Sequence, residues 1–352
     1  MAKSIANQPF VIDAGNAFVK AVHDSTEIIF VHAIAPLASE AEYDAGLSRY
    51  GKSASMDFIR IGGKAFAIGD TAMNYRTQHL EGAPKYQRDY YGILFAAAIA
   101  RTFPANSPVL AQGLMVVASH ASRDYEFHKQ LQESIKGKWD FECGGTRYRF
   151  TVTKSETYEE PFGGYARQAF RQTNKGKWET PLFGQHVGII DVGGGTVGVM
   201  QVASNGNVVH NASDSADNGM NRVTETMVGL LKSGFPKIFQ RGSSIPLDRV
   251  RDAIATGCYV GMGRELDVSK QRDLALAPLL NDVERLYTRK MNGGLGLDAI
   301  ILTGGGNEVC NQAVYELTGH AQVYLAEQAG QLQFANVRGA ANFYAVLAAS
   351  GM

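Results

Sequence analysis

The sequence has no excess of charge of either sign and no long hydrophobic run. Its 34 lysines and arginines are matched by 34 aspartates and glutamates. Proteins that bind nucleic acid directly usually carry a basic excess or a basic stripe, so we expect no direct contact with nucleic acid. The longest apolar run, Tyr90–Ala100, is far shorter than the roughly 20 residues of a membrane-spanning helix. It predicts a buried helix and no membrane association.

Cysteine is also scarce. Cys143, Cys258 and Cys310 lie far apart with no CxxC pair, and the eight histidines are scattered. This pattern argues against a zinc site and against a disulfide framework. The first residues lack the apolar core of a secretory signal. We therefore expect a cytoplasmic protein in a reducing compartment.

The sequence does contain an internal repeat. Ile12–Lys20 and Ile190–Gly198 both read as an apolar strand that ends in aspartate, then a glycine turn, then an alternating apolar strand. The two copies lie about half a chain length apart. A period of that length predicts two similar halves, because repeat solenoids have much shorter periods.

Strand and helix patterns alternate along the rest of the chain, which predicts an α/β fold. Gly62 and Gly63 predict the turn of a hairpin over Phe58–Gly69. Further predicted strands are Gly113–Ser119, Thr146–Thr153 and Ala299–Thr303. The predicted helices are Tyr90–Thr102, Tyr125–Ile135, Gly163–Gln172, Met220–Lys232, Leu276–Met291, Asn307–Leu317 and Ala340–Ala349. The polar stretch Lys175–Phe183 is predicted to link the two halves.

Each copy of the repeat predicts a loop that binds phosphate. Glycine turns leave backbone N–H groups free to point at an anion, and aspartate at a strand end suits hydrated Mg²⁺. In the first copy the candidate residues are Asp13, Gly15, Asn16 and Lys20. In the second they are Asp191, Gly193, Gly194, Gly195 and Thr196. Either loop alone could be an ordinary turn, but the pair favours a phosphate clamp.

A third glycine cluster lies between a predicted strand and a predicted helix. Its residues are Gly304, Gly305, Gly306 and Asn307. Such a junction lets a ligand lie against the backbone at a helix N-terminus, here a purine-ribose or an α-phosphate. The alternative is a tight turn between strand and helix.

Two acidic residues, Glu159 and Glu160, come just before the predicted helix start at Gly163. Acidic side chains often only complement the dipole of a helix N-terminus. The functional alternative is that one of them orients the water that attacks the γ-phosphate.

One segment matches a different phosphate-binding pattern. Gly46–Ser53 satisfies the Walker A spacing, with Lys52 as its lysine. That loop works only between a buried strand and a helix. A polar stretch precedes this segment and a hairpin follows it, so we interpret the match as coincidence.

These motifs, in this order, resemble those of the actin, heat-shock-chaperone and sugar-kinase superfamily. Asp13–Lys20 and Asp191–Thr196 are similar to its two phosphate loops and Leu302–Glu308 to its adenosine loop. Glu159–Tyr165 and the segment around Gly339 are similar to its two connecting helices. The resemblance implies a two-lobed actin-like α/β fold with a nucleotide cleft between two related ribonuclease-H-like domains. It places residues 1–180 and the returning helix 335–352 in one lobe and residues 181–334 in the other, with small inserts at about 31–85 and 235–275.

Within the superfamily the sequence most resembles the ParM/StbA plasmid-segregation actins, through Ile61–Gly69, Asp214–Gly219 and Phe334–Gly339. The resemblance implies a polar filament of identical chains that hydrolyses ATP or GTP and reaches DNA through a DNA-bound adaptor. Mg²⁺ would be held by Asp13 and Asp191 through water, and Asp191, Lys20 and Glu159 or Glu160 would be catalytic. Glu225 would contact the ribose or base.

Other members of the superfamily remain alternatives. An MreB-type cytoskeletal actin shares the triple-glycine loop, and a small-molecule kinase would need a catalytic base that no loop clearly offers. A nucleotide-binding scaffold that does not hydrolyse is the third alternative. The sequence also departs from the family pattern, because Gly198 stands where the second phosphate loop often carries aspartate. Pro161 comes one position early, which leaves the choice between Glu159 and Glu160 open.

Overall fold

The computed structural model describes residues 8–49, 55–77, 83–173, 176–239, 244–261 and 263–350. The chain forms two compact units. Unit 1 comprises Met1–Thr180 together with Asn336–Met352, and unit 2 comprises Pro181–Ala335. The fold is the predicted α/β class, with one large mixed sheet in each unit.

The large sheet of unit 1 has the strand order β3-β2-β1-β7-β9-β8-β5-β6-β4 among its described residues. Its strands are β1 (Phe10–Ala14), β2 (Phe18–His23), β3 (Thr26–Val31), β4 (Ile34–Pro36), β5 (Phe58–Ile61), β6 (Lys64–Ile68), β7 (Leu114–His120), β8 (Gly137–Cys143) and β9 (Thr146–Glu159). The central strands β1, β7 and β9 are parallel to one another. Their carboxyl ends therefore meet at one edge of the sheet, where ligands bind in open α/β sheets.

The helices of unit 1 are α1 (Glu40–Arg49), α2 (Arg88–Thr102), α3 (Pro108–Gln112), α4 (His128–Ile135), α5 (Glu160–Ala169) and, across the unit boundary, α10 (Ala335–Ser350). Helix α2 confirms the predicted buried helix, since every residue from Tyr90 to Ala100 is buried. These residues pack with β1 and β7 in the main core of the unit. Strands β10 (Arg171–Gln172) and β11 (Trp178–Glu179) form a short antiparallel pair. Strand β11 lies within the segment predicted as a linker, and β10 lies just before it.

Unit 2 repeats the arrangement in a smaller sheet of order β14-β13-β12-β17-β18. Its strands are β12 (Val187–Val192), β13 (Val197–Val202), β14 (Asp214–Ala216), β17 (Ala299–Thr303) and β18 (Val323–Leu325), with β15 (Cys258–Gly261) and β16 (Arg264–Asp267) as a separate pair. Its helices are α6 (Met220–Gly234), α7 (Leu247–Thr256), α8 (Ser269–Met291) and α9 (Asn307–Thr318). Strands β12 and β17 are parallel and completely buried.

Several predicted boundaries were wrong. Strand β9 continues past Thr153 to Glu159, and α5 begins at Glu160, not at Gly163. Helix α8 begins at Ser269 and contains Pro278. The closing helix α10 begins at Ala335, five residues before its predicted start.

The hairpin prediction at residues 58–69 is confirmed. Strands β5 and β6 pair through Ile61 and Lys64. Gly62 and Gly63 both have positive φ, at 58° and 74°, which is the conformation that a two-residue hairpin turn requires.

The first half of the Walker A match, Gly46–Arg49, lies inside helix α1. A Cβ on Gly46 would collide with the ring of Phe58, so close packing explains this glycine. Gly46 lies within a helix and not in a loop at the end of a buried strand, which contradicts a phosphate loop of that type. The remainder of the match, Tyr50–Ser53, lies outside the described residues. No helix in the described part of the chain is long and apolar enough to cross a membrane.

Candidate functional site

The first candidate aspartate lies at the carboxyl end of β1 and has two partners. Lys20 is its register partner on β2, and the Lys20 Nζ–Asp13 Oδ2 distance is 2.5 Å. Ser119, at the end of the parallel strand β7, donates a hydrogen bond of 2.8 Å to Asp13 Oδ1. Asp13 is only 2% exposed. The carboxylate is therefore held in one orientation by residues from two neighbouring strands.

The turn after Asp13 is held by a buried histidine that the sequence analysis missed. His32 Nδ1 lies 2.5 Å from the carbonyl oxygen of Gly15. Its Nε2 lies 3.0 Å from the hydroxyl of Tyr90 on α2. Because His32 connects the turn to the core helix, the loop has a fixed support beneath it.

Asn16 has a partner far away in sequence. The Nζ of Lys85 donates to Asn16 Oδ1 at 3.2 Å, and Lys85 is buried. Lys85 lies in the short helical turn Ala83–Tyr86 just before α2. Nothing in the local sequence pattern marks this lysine as part of the site.

The two candidate acidic residues occupy different elements. Glu159 is the last residue of β9, in register with His120 of β7, and Glu160 is the first residue of α5. Glu159 is 8% exposed, while Glu160 is half-buried.

The charge of Glu160 acts on the same buried tyrosine as the charge of Asp13. Burial raises the pKa of Tyr91 well above its ordinary value, and the carboxylates of Asp13 and Glu160 raise it further. Burial also raises the pKa of Tyr86, with the carboxylates of Asp124 and Glu160 adding to it. Glu160 thus lies near the group built around Asp13.

Helix α5, which carries Glu160, crosses α10 at very close range. A Cβ on Gly163 would lie 2.6 Å from Asn336 Cα. A Cβ on Gly339 would lie 2.6 Å from the Arg167 nitrogen. Only glycine fits at these two positions, so the crossing fixes the start of α5 and with it the Glu160 backbone.

The second candidate loop lies in unit 2 and is tied to the start of α6. The amides of Gly219, Met220 and Asn221 donate to the carbonyl oxygens of Gly195, Gly193 and Gly194 at 3.1, 3.1 and 2.7 Å. These bonds satisfy helix N-terminal amides that otherwise lack partners. Among the described residues, the amides of Gly194 and Gly195 donate no hydrogen bond. With its carbonyl groups occupied and these amides available, the loop is suited to an anion.

Asp191 and Thr196 bracket this loop. Asp191 is 5% exposed and is in register with Gly198 on β13 and Thr303 on β17. Thr196 is half-buried, and its carbonyl oxygen accepts the amide of Gly193 at 2.8 Å. Asp191 therefore has the strand position of Asp13, but glycine stands opposite it where Lys20 stands opposite Asp13.

The third candidate loop packs against the end of β12. The amide of Gly306 donates to the carbonyl oxygen of Val192 at 2.8 Å. Gly304 has φ of 85°, and a Cβ there would lie 2.5 Å from the same oxygen. Gly305 is the most open of the three, since a Cβ there would meet only Gln333 at 3.3 Å.

Asn307 and Glu225 lie in different environments. Asn307 is completely buried, and its Nδ2 donates to the carbonyl oxygens of Thr303 and Ile190 at 2.5 and 3.3 Å. This side chain holds the loop to the sheet, and its contact with a nucleotide stays a prediction. Glu225 is exposed on α6.

The described residues contain no group of three or more histidine, cysteine, aspartate or glutamate side chains that could enclose a metal ion. Mg²⁺ does not require such a group, because it usually keeps several waters and takes one or two carboxylates. The single carboxylate at the strand end of each loop fits a hydrated ion of this kind.

Two family models match the chain, one after the other. The model "Actin like proteins N terminal domain" matches residues 11–163. The model "Archaeal actin homologue MreB-like, C-terminal" matches residues 189–316. No curated protein is significantly similar to the chain in sequence.

Solved structures of similar fold cover nearly the whole chain. The archaeal actin homologue Ta0583 is 17% identical over 96% of this chain and 99% of its own, with a TM-score of 0.73. A 15-stranded ParM filament from Clostridium botulinum is 16% identical over 96% and 99%, with a TM-score of 0.67. Bacillus thuringiensis ParM with ATP is 14% identical over 97% and 99%, with a TM-score of 0.66.

The two family models follow the same order as the two structural units, and together they span most of the chain. The structural matches extend over both units with the same fold. The chain therefore has the actin-like fold, and each of its two units matches a family of actin-like proteins.

Proposed function

We propose that this protein binds a nucleoside triphosphate, ATP or GTP, with Mg²⁺, hydrolyses it, and assembles into filaments. The observation that carries the proposal is that the same local arrangement of strand and turn surrounds Asp13 and Asp191. Each is the last residue but one of a buried central strand, precedes a glycine turn and lies on a strand that pairs with a parallel strand. The expectation that both loops hold one nucleotide stays a prediction.

Different candidate residues would contact different parts of the nucleotide and its Mg²⁺. The amides of Gly194 and Gly195 and the turn at Gly15 would bind phosphate oxygens. Asp13 and Asp191 would hold Mg²⁺ through water, and the ion would offset phosphate charge. Gly304, Gly305 and Gly306 would lie against the nucleoside, and Glu225 stays a candidate for the ribose or base.

Hydrolysis needs a group that orients water more than it needs a covalent residue. Of the two candidate residues, Glu160 has the better support, because it is only half-buried at the start of α5 and can reach water, and its charge also acts on Tyr91 as that of Asp13 does. Glu159 is the last residue of β9 and is buried. We therefore assign the water-orienting role to Glu160.

Filament formation is proposed from the fold. One structure of similar fold is a ParM filament, and another is ParM with ATP. A role in moving or holding plasmid DNA through a DNA-bound adaptor would follow for a ParM-type protein. A cytoskeletal role of MreB type is the alternative within the same fold, and the match of residues 189–316 supports it.

The second candidate function is a nucleotide-binding scaffold that does not hydrolyse. The observation that favours it is Gly198, which lies opposite Asp191 and offers no second carboxylate to the loop. Phosphate release separates the two functions, because a scaffold would bind the triphosphate and release none.

The test of nucleotide binding is the variant Asp191→Ala, with Lys52→Ala as its control. Asp191→Ala removes a proposed Mg²⁺ carboxylate, so Mg²⁺-dependent affinity for ATP or GTP should fall at least about tenfold, which is about 1.4 kcal/mol. Lys52→Ala should bind like the wild type. Titration calorimetry with and without Mg²⁺ measures both. If Lys52→Ala abolishes binding and Asp191→Ala does not, the nucleotide binds through the Walker A segment and the proposal is wrong.

A further inference from the structure

Lys85 is a buried cation beside the first phosphate-loop candidate. It is 6% exposed and lies in the turn Ala83–Tyr86 before α2. Its Nζ donates to Asn16 Oδ1 at 3.2 Å and lies 5.6 Å from the centre of the Tyr86 ring. A cation at that distance from an aromatic ring gains a modest attraction.

These contacts do not satisfy the ammonium group. An ammonium has three N–H donors, and among the described residues Asn16 is the only hydrogen-bond acceptor of Lys85, with no carboxylate forming an ion pair. A buried charge without a counter-charge is costly. Lys85 therefore suits an anionic ligand.

The other lysine of this loop is already neutralised. Lys20 is paired with Asp13 at 2.5 Å, so its charge is shared with a carboxylate of the chain. Lys85 touches the same loop through Asn16 and has no such partner in the described part of the chain. Of the two lysines beside this loop, Lys85 is thus the one whose charge is available to a phosphate.

The position of Lys85 also indicates which phosphate it would meet. Its ring neighbour Tyr86 lies close enough to Glu160 for that carboxylate to act on the phenol. Glu160 is the residue assigned to orient the attacking water, and that water meets the terminal phosphate. From this arrangement we infer that Lys85 binds the terminal phosphate of the nucleoside triphosphate, an inference that rests on the proposed function.

The experiment compares Lys85→Met, Lys85→Gln and Lys85→Arg with the wild type. Lys85→Met keeps most of the length of the side chain and removes its charge. Affinities for ATP and ADP, or for GTP and GDP, are measured at low and high salt, together with thermal unfolding of the nucleotide-free protein. Lys129→Met is the matched control, since Lys129 is exposed on α4.

A charge-assisted hydrogen bond to phosphate is lost in the neutral variants. Affinity for the triphosphate should fall about 10- to 100-fold, while affinity for the diphosphate should change by less than about threefold. Lys85→Arg should recover most of the triphosphate affinity, and the gap between wild type and Lys85→Met should narrow at high salt. Lys129→Met should leave both affinities unchanged.

The outcomes separate this inference from the proposed function. If the wild type binds neither ATP nor GTP, the proposed function is wrong. If the wild type binds and Lys85→Met and Lys85→Gln bind the triphosphate equally well, the inference is overturned. Equal losses for triphosphate and diphosphate would also overturn it, because they would place Lys85 away from the terminal phosphate. If Lys85→Met does not fold, Lys85→Gln carries the comparison.

Discussion

Asp13 and Asp191 occupy the same strand position but have different surroundings. Asp13 faces Lys20 across the hairpin and accepts from Ser119. Asp191 faces Gly198 instead. A carboxylate with two such partners is fixed before a ligand arrives. At the residue scale, the two loops thus differ in the residue that faces the carboxylate, and a Mg²⁺ contact stays a prediction for both aspartates.

Glu160 and Glu159 can be separated by paired amide variants. Glu160→Gln keeps the size of the side chain but removes its carboxylate, which touches water and not the nucleotide in our proposal. The value of kcat for phosphate release should fall about 100-fold or more, with triphosphate affinity nearly unchanged, the pattern expected when an interaction made only in the transition state is lost.

Glu159→Gln is the matched control for that experiment. Its side chain is buried at the end of β9, and we expect a smaller effect on kcat than for Glu160→Gln. Single-turnover phosphate release measures both variants. The reverse ranking would transfer the water-orienting role to Glu159, and equal turnover in both would remove this segment from the mechanism.

At the scale of elements, the loop between β17 and α9 depends on close backbone packing. A Cβ on Gly306 would lie 2.8 Å from both Val192 O and Met220 Cγ, whereas a Cβ on Gly305 would meet only Gln333 at 3.3 Å. Gly306→Ala should lower the free energy of unfolding by about 1–3 kcal/mol through overpacking.

Gly305→Ala should change the stability by less than about 0.5 kcal/mol. The two variants remove the same kind of residue from adjacent positions, so helix propensity affects both in a similar way. Thermal or urea unfolding of the nucleotide-free protein provides the comparison. A Gly306→Ala protein as stable as Gly305→Ala would show that the loop can shift away from β12 without cost.

The parts of the fold that depend on local pattern were predictable from sequence. The hairpin at Gly62–Gly63 and the strand Ala299–Thr303 have the predicted structure. Paired turn glycines and a short, uninterrupted apolar run are each compatible with few other local structures. Helix α8 begins seven residues before its predicted start at Leu276 and continues through Pro278, although proline in a helix is usually confined to the first turn. The end of β9 was missed because its last residues are polar and carry no alternation.

The supporting residues of the site were not predictable in the same way. Ser119, His32 and Lys85 lie 106, 17 and 69 positions from their loop partners. Their roles arise from strand order and from the packing of α2, neither of which a single sequence states. The role of Ser119 was the easiest of the three to predict, because Ser119 ends a predicted strand and the carboxyl ends of parallel strands share an edge.

At the scale of the whole molecule, assembly should depend on the triphosphate. This expectation follows from the assembly proposed above, since similar structures include a ParM filament. If the triphosphate state favours assembly, nucleotide plus Mg²⁺ should produce sedimentable filaments above a critical concentration. A protein that stays monomeric and phosphorylates a small molecule would contradict this.

Hydrolysis should then limit how long filaments last. The double variant Glu159→Ala with Glu160→Ala removes both candidates for orienting water but leaves Asp13, Lys20 and Asp191 in place. It should bind nucleotide and assemble like the wild type, because ground-state contacts are retained. Its filaments should disassemble at least about tenfold more slowly after a limited pulse of nucleotide, since a kcat loss of about 100-fold delays formation of the diphosphate state. Light scattering recorded together with phosphate release gives both rates. Normal turnover with unchanged filament decay would remove both residues from the mechanism, and loss of nucleotide binding would mean that this segment only maintains the fold.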